Sequence, residues 1–144
     1  MKSYRPENVI NGTWGEVWVN SDYIAQVTGL EAKIKLTKSD VNQTRTLSKG
    51  SKITGIEGSG TLKTNKTSSY FAQMLLPSIR KGINPVCTII SNLDDPAVNG
   101  NERVKFTGVT FDEVTLADWE AGKNGEESIP FTFDDAEIID SIAD

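Results

Sequence analysis

The sequence contains no histidine and only one cysteine, Cys87, among its 144 residues. A single cysteine cannot form an intramolecular disulfide, and a structural zinc site needs Cys or His ligands that this chain lacks. Ser-His-Asp triads are excluded as well, since they require the histidine that supplies most acid–base catalysis near neutral pH. Carboxylate-only, Ser-Lys and Cys-based mechanisms remain open, but we expect a protein that is not an enzyme and that holds no cofactor or metal.

Long apolar runs are also missing. No stretch approaches the roughly 20 apolar residues that a transmembrane helix needs. The first ten residues, "MKSYRPENVI", have no apolar run after their charges, so no secretory signal is predicted. Hydrophobic residues make up 37% of the chain and charged residues 24%, which is typical of a soluble globular protein. The sequence predicts a single domain over residues 1–144, made in the cytoplasm and without membrane contact.

Charge is distributed unevenly along the chain. Residues 1–111 carry 14 Lys/Arg against 9 Asp/Glu, whereas residues 112–144 carry one Lys against 11 Asp/Glu. A solvated acidic end is the simplest interpretation. The alternative is that copies of the protein meet basic face to acidic face, because opposite patches steer association and set its orientation.

Alternating apolar and polar residues predict a mainly β structure. The pattern is clearest in "TWGEVWV", where Trp14 and Trp18 would share a face, and in "GLEAKIKLT". Four further strands are predicted, in "KITGIEGSGTLKT", "PVCTIIS", "ERVKFTGVTF" and "SIPFTFDD". The glycines Gly55, Gly58 and Gly60 lack the spacing of a nucleotide loop, so they indicate close packing or bulges.

One stretch, "KTSSYFAQMLLPSIRKG", predicts an α-helix with an apolar stripe that belongs to the core. Thr67 or Ser68 is the predicted cap, and Pro77 is expected to kink the helix or end its regular part. The segment "LADWEAG" is read as a single helical turn. The predicted fold class is mainly β (α+β): a β-sandwich or partly open barrel of five to seven strands with one flanking α-helix.

Three segments fall outside these elements: an N-terminal arm at residues 1–11, a polar stretch at 39–50, and a C-terminal segment at 135–144 that is either a last strand or a loose arm. The stretch at 39–50, "SDVNQTRTLSKG", is longer than a connection requires, which is typical of functional or flexible loops. Residues 94–104, "DDPAVNGNERV", fit neither frame of a calcium-binding loop and contain two turn signals, so they predict a turn.

Three blocks, taken in this order and spacing, resemble the tail tube (tail core) protein of contractile-tailed phages, of the PBSX defective-prophage type. They are "NGTWGEVWVNSDYIAQVTGLEAKIKL", "IISNLDDPAVNGNERVKFTGVTFDEVTLADWEAG" and "GEESIPFTFDD". The resemblance implies a self-assembling structural protein of a phage or phage-like particle. Six copies would form a ring, rings would stack into the hollow inner tail tube, and DNA would pass through the lumen without specific binding.

The resemblance also implies partners and contact residues. The partners would be further copies of the chain and the sheath, baseplate and tape-measure proteins, in a tail assembled after synthesis in the bacterial cytoplasm. The polar loop would reach the neighbouring ring, with Asp40, Arg45, Leu47 and Lys49 as its contacts. Whether the acidic residues after Asp112 face the lumen stays open.

Two other functions remain open from the residues alone. One is another tail or baseplate component of the same fold, because fold does not assign position. The other is a monomeric β-sandwich binding module that uses Trp14, Trp18 and Trp119 as a platform. Carboxylates capable of acting in an enzyme are present at Asp112, Glu113, Asp118 and Glu120, but nothing nearby indicates a substrate pocket, so we assign them to solvent or subunit contacts.

Overall fold

The computed structural model describes residues 3–142, which fold into antiparallel β-sheets flanked by one α-helix, α1 (Tyr70–Arg80). The strands are β1 (Gly15–Val19), β2 (Asp22–Tyr23), β3 (Val27–Val41), β4 (Gly50–Asn65), β5 (Cys87–Leu93), β6 (Glu102–Phe111), β7 (Glu126–Phe133) and β8 (Asp135–Asp140). The mainly β fold class with one flanking helix is confirmed. The C-terminal segment supplies a last strand, which brings the count to eight rather than five to seven.

The strands are ordered β2-β1-β5-β6-β7-β4-β3, and β8 pairs with β6 off this path. Strand β6 belongs to both layers, since Arg103–Thr107 pair with β8 whereas Thr110 and Phe111 pair with β7. Gly108 lies between these parts with a φ of +65°, and the Asp134 side chain occupies the place of a Cβ there. Glycine adopts this left-handed conformation without penalty, so it lets one strand turn from one layer into the other.

The core lies between the layers and consists of the residues that the alternation predicts. Val17 and Val19 of β1 are buried, as are Ile129, Phe131 and Phe133 of β7. The single cysteine, Cys87, is buried in the same cluster, where it packs as a small apolar residue. Phe131 is at the centre of an aromatic group and contacts the rings of Phe106, Phe111 and Phe133 at centroid distances of 6.3–6.4 Å.

Helix α1 closes one side of this core through the apolar stripe that the sequence predicts. Phe71 and Leu75 are buried, and the Phe71 ring meets the Phe111 ring edge-on at 5.8 Å. The predicted cap is wrong, because the helix begins after Ser69, whose side chain makes no capping hydrogen bond. Pro77 does not end the helix, which continues to Arg80. The proline removes one backbone hydrogen bond and leaves the packing of the stripe in place.

Two local predictions are wrong. Residues 116–122 form no helical turn but an exposed, irregular segment of the β6–β7 connection. Trp14 does not share a strand face with Trp18, because it belongs to a short 3-10 helix (Gly12–Trp14) that precedes β1. Within residues 3–142, no helix is long and apolar enough to cross a bilayer.

Candidate assembly interface

The hairpin of β3 and β4 is much longer than the rest of its sheet. From Gly58 to Asn65, β4 is paired on its other side with β7. Residues 50–57 of β4 pair only with β3, and we call this two-stranded part, residues 35–41 and 50–57, the ribbon. Eight residues at roughly 3.3 Å each give the ribbon a length of about 26 Å beyond the last pair with β7.

One face of the ribbon exposes large apolar side chains beside Lys38. Leu36 and Ile56 are Cα partners, so their side chains share a face. The same face begins in the core, where Leu30 is partnered with the fully buried Leu62. Leu36, Ile56 and the more distal Ile53 are exposed large hydrophobic residues. An isolated two-stranded ribbon is marginal in water, so this face is suited to packing against another surface.

The outer edge of β3 is open over its whole length. Among residues 3–142, β4 is the one strand that pairs with β3. An open edge exposes a row of backbone donors and acceptors, which form hydrogen bonds readily with a strand of another chain. Three lysines lie along this strand, Lys33, Lys35 and Lys38, and all of them are exposed. Such charges are a common device against indiscriminate edge pairing, so this edge favours a selected partner.

The polar excursion is shorter than the predicted residues 39–50, because β3 continues to Val41 and β4 begins at Gly50. We call the connecting residues 42–49 the hairpin tip. Asp40 lies in β3, paired with Ser51, and not in the tip.

The other three residues singled out in the sequence, Arg45, Leu47 and Lys49, all lie in the tip. Leu47 is fully exposed, and Arg45 has a φ of +63°, a conformation more common in tight turns than elsewhere. The tip therefore presents two cations and one apolar side chain to solvent at the far end of the ribbon.

An open apolar groove of about 390 Å³ runs beside the base of the ribbon, and the sequence did not predict it. It separates β3 from the layer that contains β6 and β8. Its apolar lining consists of Leu30, Ala32, Ile34, Val104, Phe106, Phe133 and Ile138. Only Phe106 and Phe133 of these are buried, so the groove is an incompletely covered part of the core. The one sign of this surface in the sequence is the alternation of apolar and polar residues in β3, which continues beyond the length of the neighbouring strands.

The stretch at residues 94–104 is a turn, as predicted. Asp95 is buried, and its carboxylate accepts hydrogen bonds from the backbone N–H groups of Asn11 and Ala97, both at 2.9 Å. It thereby joins the N-terminal arm to the turn between β5 and β6. In the part of the chain that the structure describes, no three acidic or cysteine side chains are grouped as metal ligands.

A family model described as phage tail tube protein matches residues 2–140. The chain belongs to the phage tail tube protein family. It is similar to the phage-like element PBSX protein XkdM of Bacillus subtilis, with 31% identity over 142 residues and 97% of each chain covered. This is a family of structural proteins and not of enzymes, and the resemblance noted in the sequence is confirmed.

The fold is also that of tube proteins of contractile injection systems. The chain is similar to a chain of the PVC sheath–tube complex in its extended state, with a TM-score of 0.71 at 14% identity and coverage of 96% and 95% of the two chains. A chain of the anti-feeding prophage tube-terminating cap gives the same TM-score at 12% identity, with coverage of 99% and 95%. At such identities the likeness shows the fold alone, so the family match carries the assignment.

Proposed function

We propose that the protein assembles into hexameric rings that stack to form the hollow inner tube of a phage or phage-like contractile tail. The observation that carries this proposal is the β3–β4 hairpin. It extends about 26 Å beyond its sheet, its β3 edge is unpaired in the described residues, and one face of it exposes large apolar side chains. A monomer gains nothing from exposing these three features together, whereas a ring and a stack would cover each of them.

Two kinds of contact are needed for such a tube, and the chain offers a surface for each. Pairing along the open edge of β3 would join neighbouring copies within a ring and remove the exposed edge. The ribbon and the hairpin tip would reach the adjacent ring. Arg45, Leu47 and Lys49 of the tip would make the contact, together with Asp40, which lies in β3 next to the tip. Stacking of this kind repeats a head-to-tail contact without closing it, so the tube can grow.

The remaining partners follow from this place in the particle. The outer wall of the tube would contact a sheath protein, and its ends would contact baseplate and tape-measure proteins. DNA would pass through the lumen without specific binding. A lumen without a cationic wall suits that role, since each phosphate held by a cation would contribute counterion-release energy and retain the strand.

Another position in the same particle is the second candidate, because the fold matches the anti-feeding prophage cap as well as the PVC tube complex. The binding-module alternative is weaker. Trp18 is partly covered by Tyr23, whose ring centroid is 5.5 Å away, and by Arg103, whose guanidinium carbon is 5.9 Å from the ring centroid. Trp119 is on the β6–β7 connection, and Trp14 belongs to a 3-10 helix, so the three rings do not share one strand face.

Negative-stain electron microscopy of the purified protein tests the proposal. The comparison variant replaces residues 42–49 with Asn-Gly, which fits because Val41 and Gly50 are paired and a two-residue turn can connect them. We expect hollow tubes of uniform width from the unaltered protein, and rings without tubes from the shortened one at unchanged thermal stability. Dispersed monomers from the unaltered protein up to its solubility limit would overturn the proposal.

A further inference from the structure

We propose that the hairpin tip of one copy docks onto the β6–β7 loop, residues 112–125, of a second copy in the adjacent ring. This inference rests on the proposed stacking of rings and names the surface that receives the tip. The partner is a second copy of this chain, and the exposed middle of the receiving loop, residues 116–120, does not contribute to the core.

The tip and the β6–β7 loop lie at opposite ends of the same strand. The tip precedes Gly50, the first residue of β4, whereas Asn65, the last, is paired with Glu126 at the end of the loop. The fifteen steps between them span about 50 Å at roughly 3.3 Å per residue. One copy therefore cannot bring its own tip to its own loop, so the contact needs a second copy, and stacked rings would supply it head to tail.

Backbone contacts hold both ends of the β6–β7 loop in place. At its start, the Asp112 N–H donates to the Pro130 carbonyl at 2.9 Å. At its end, the Gly125 carbonyl accepts from the Lys66 N–H, also at 2.9 Å. Between these anchors, residues 116–120 are all exposed and form no helix or strand. The loop is therefore fixed relative to the sheet while its middle faces outward, as a docking surface requires.

Both surfaces expose large apolar side chains at their centres. Leu47 of the tip is completely exposed. Leu116 and Trp119 of the loop are 59% and 87% exposed, so neither contributes to the core of its own chain. Tryptophan is enriched among residues that dominate binding energy in interfaces, and burying it beside an aliphatic side chain is strongly favourable.

The charges around these apolar residues are complementary. Within residues 38–52, Lys38, Arg45, Lys49 and Lys52 stand against Asp40 alone. The β6–β7 loop has the reverse balance, with Asp112, Glu113, Asp118 and Glu120 against Lys123. Lys123 is 3.0 Å from Glu120, which leaves three carboxylates of the loop without a salt bridge among the described residues. Opposite potentials steer encounter and set orientation, whereas two copies of either surface would repel.

Charge reversal on each side, followed by recombination, tests the docking. Arg45→Glu/Lys49→Glu reverses the tip, and Glu113→Lys/Asp118→Lys reverses the loop without disturbing the Lys123–Glu120 pair. We expect each pair to raise the protein concentration needed for tube growth by about tenfold or more, because like charges then face each other. All four substitutions in one chain should restore growth to within about threefold of the unaltered protein, since only the sign of the contact has changed.

Two further variants separate the docking from general effects. Arg80→Glu/Lys81→Glu reverses the same number of exposed cations at the end of α1 and should leave tube growth unchanged. Trp119→Ala should hinder growth without altering the melting temperature. Normal tube growth with the loop reversed, or no recovery in the folded four-substitution variant, would overturn the docking. Either result leaves the tube itself intact as a proposal, which fails only if the unaltered protein forms no tubes.

Discussion

Gly60 of β4 is paired directly with Phe131 of β7, and the aromatic ring lies over the place where a side chain would begin. A Cβ at Gly60 would come within 2.6 Å of Phe131 Cζ and crowd the backbone carbonyl oxygen of Glu31. Phe131 is fully buried and contacts three other phenylalanine rings. The absence of a side chain at Gly60 thus allows the central ring of the core to pack closely against the neighbouring strand.

Gly60→Ala should therefore destabilise the protein by about 1–3 kcal/mol, because neither the buried ring nor the strand backbone can move aside freely. Gly55→Ala is the matched control in the same strand. There the nearest atom to a new Cβ is Thr37 Cβ at 3.8 Å, an ordinary contact. Urea unfolding of both variants measures the difference. Equal stabilities would show that the ring packing does not depend on Gly60.

Lys66 and Glu127 form the one salt bridge in residues 3–142 whose carboxylate is buried. Their atoms are 3.0 Å apart, with 7% of the Glu127 side chain exposed. Lys66→Ala leaves that carboxylate buried without its partner and should cost roughly 2–4 kcal/mol. Lys123→Ala removes a solvent-exposed pair with Glu120 and should have no measurable effect. Denaturant unfolding compares the two, and equal losses would contradict a special role for the Lys66 pair.

Asp95 joins the N-terminal arm to the β5–β6 turn through two backbone hydrogen bonds. Asp95→Ala should release the arm and increase its cleavage by a nonspecific protease severalfold, because local opening exposes the backbone. Asp94→Ala is the control, since the neighbouring carboxylate makes neither of these bonds. Limited proteolysis followed by mass spectrometry locates the cuts. If both variants resist cleavage at residues 3–11 equally, Asp95 is not what holds the arm.

Tyr70 connects α1 to the β1–β2 hairpin, since its hydroxyl donates to Asp22 Oδ2 at 3.0 Å. Burial raises the pKa of Tyr70 to about 12 from an ordinary 10.0, and the hydrogen bond and charge of Asp22 add to the effect. The folded state therefore favours the neutral phenol. Its contribution is complete below pH 10 and is lost as the pH rises through 12.

Thermal melts between pH 9 and pH 12 should accordingly show a steeper fall for the unaltered protein than for Tyr70→Phe. Tyr4→Phe, at an exposed position of the N-terminal arm, should follow the unaltered protein. Parallel curves for the unaltered protein and Tyr70→Phe would contradict the role of the phenol.

The sequence predicts the fold well where one face of an element is buried. Ile129, Phe131 and Phe133 are buried at every second position of β7, and this period-two pattern is visible in the sequence because one face of the strand is buried. The core stripe of α1 is predictable for the same reason. Its start is not, because Thr67, Ser68 and Ser69 are equivalent capping residues by type, and the structure uses no side-chain cap there.

The assembly surfaces are harder to predict from the sequence, because strands pair through backbone hydrogen bonds that do not require particular side chains. Residues 39–41 resemble a loop by composition, yet they extend β3, since hydrogen bonds to β4 hold them. Leu116 and Trp119 suggest a helical turn by spacing, but they contact no core and remain in an irregular segment.

Cryo-electron microscopy of the purified protein, concentrated at moderate salt without any other tail component, shows whether the chain builds a tube by itself. We expect hollow tubes of stacked rings with six copies per ring, joined along β3 and with each hairpin tip against the adjacent ring. Particles that remain monomeric up to the solubility limit, or rings in which the edge of β3 and the ribbon stay exposed to solvent, would contradict this expectation.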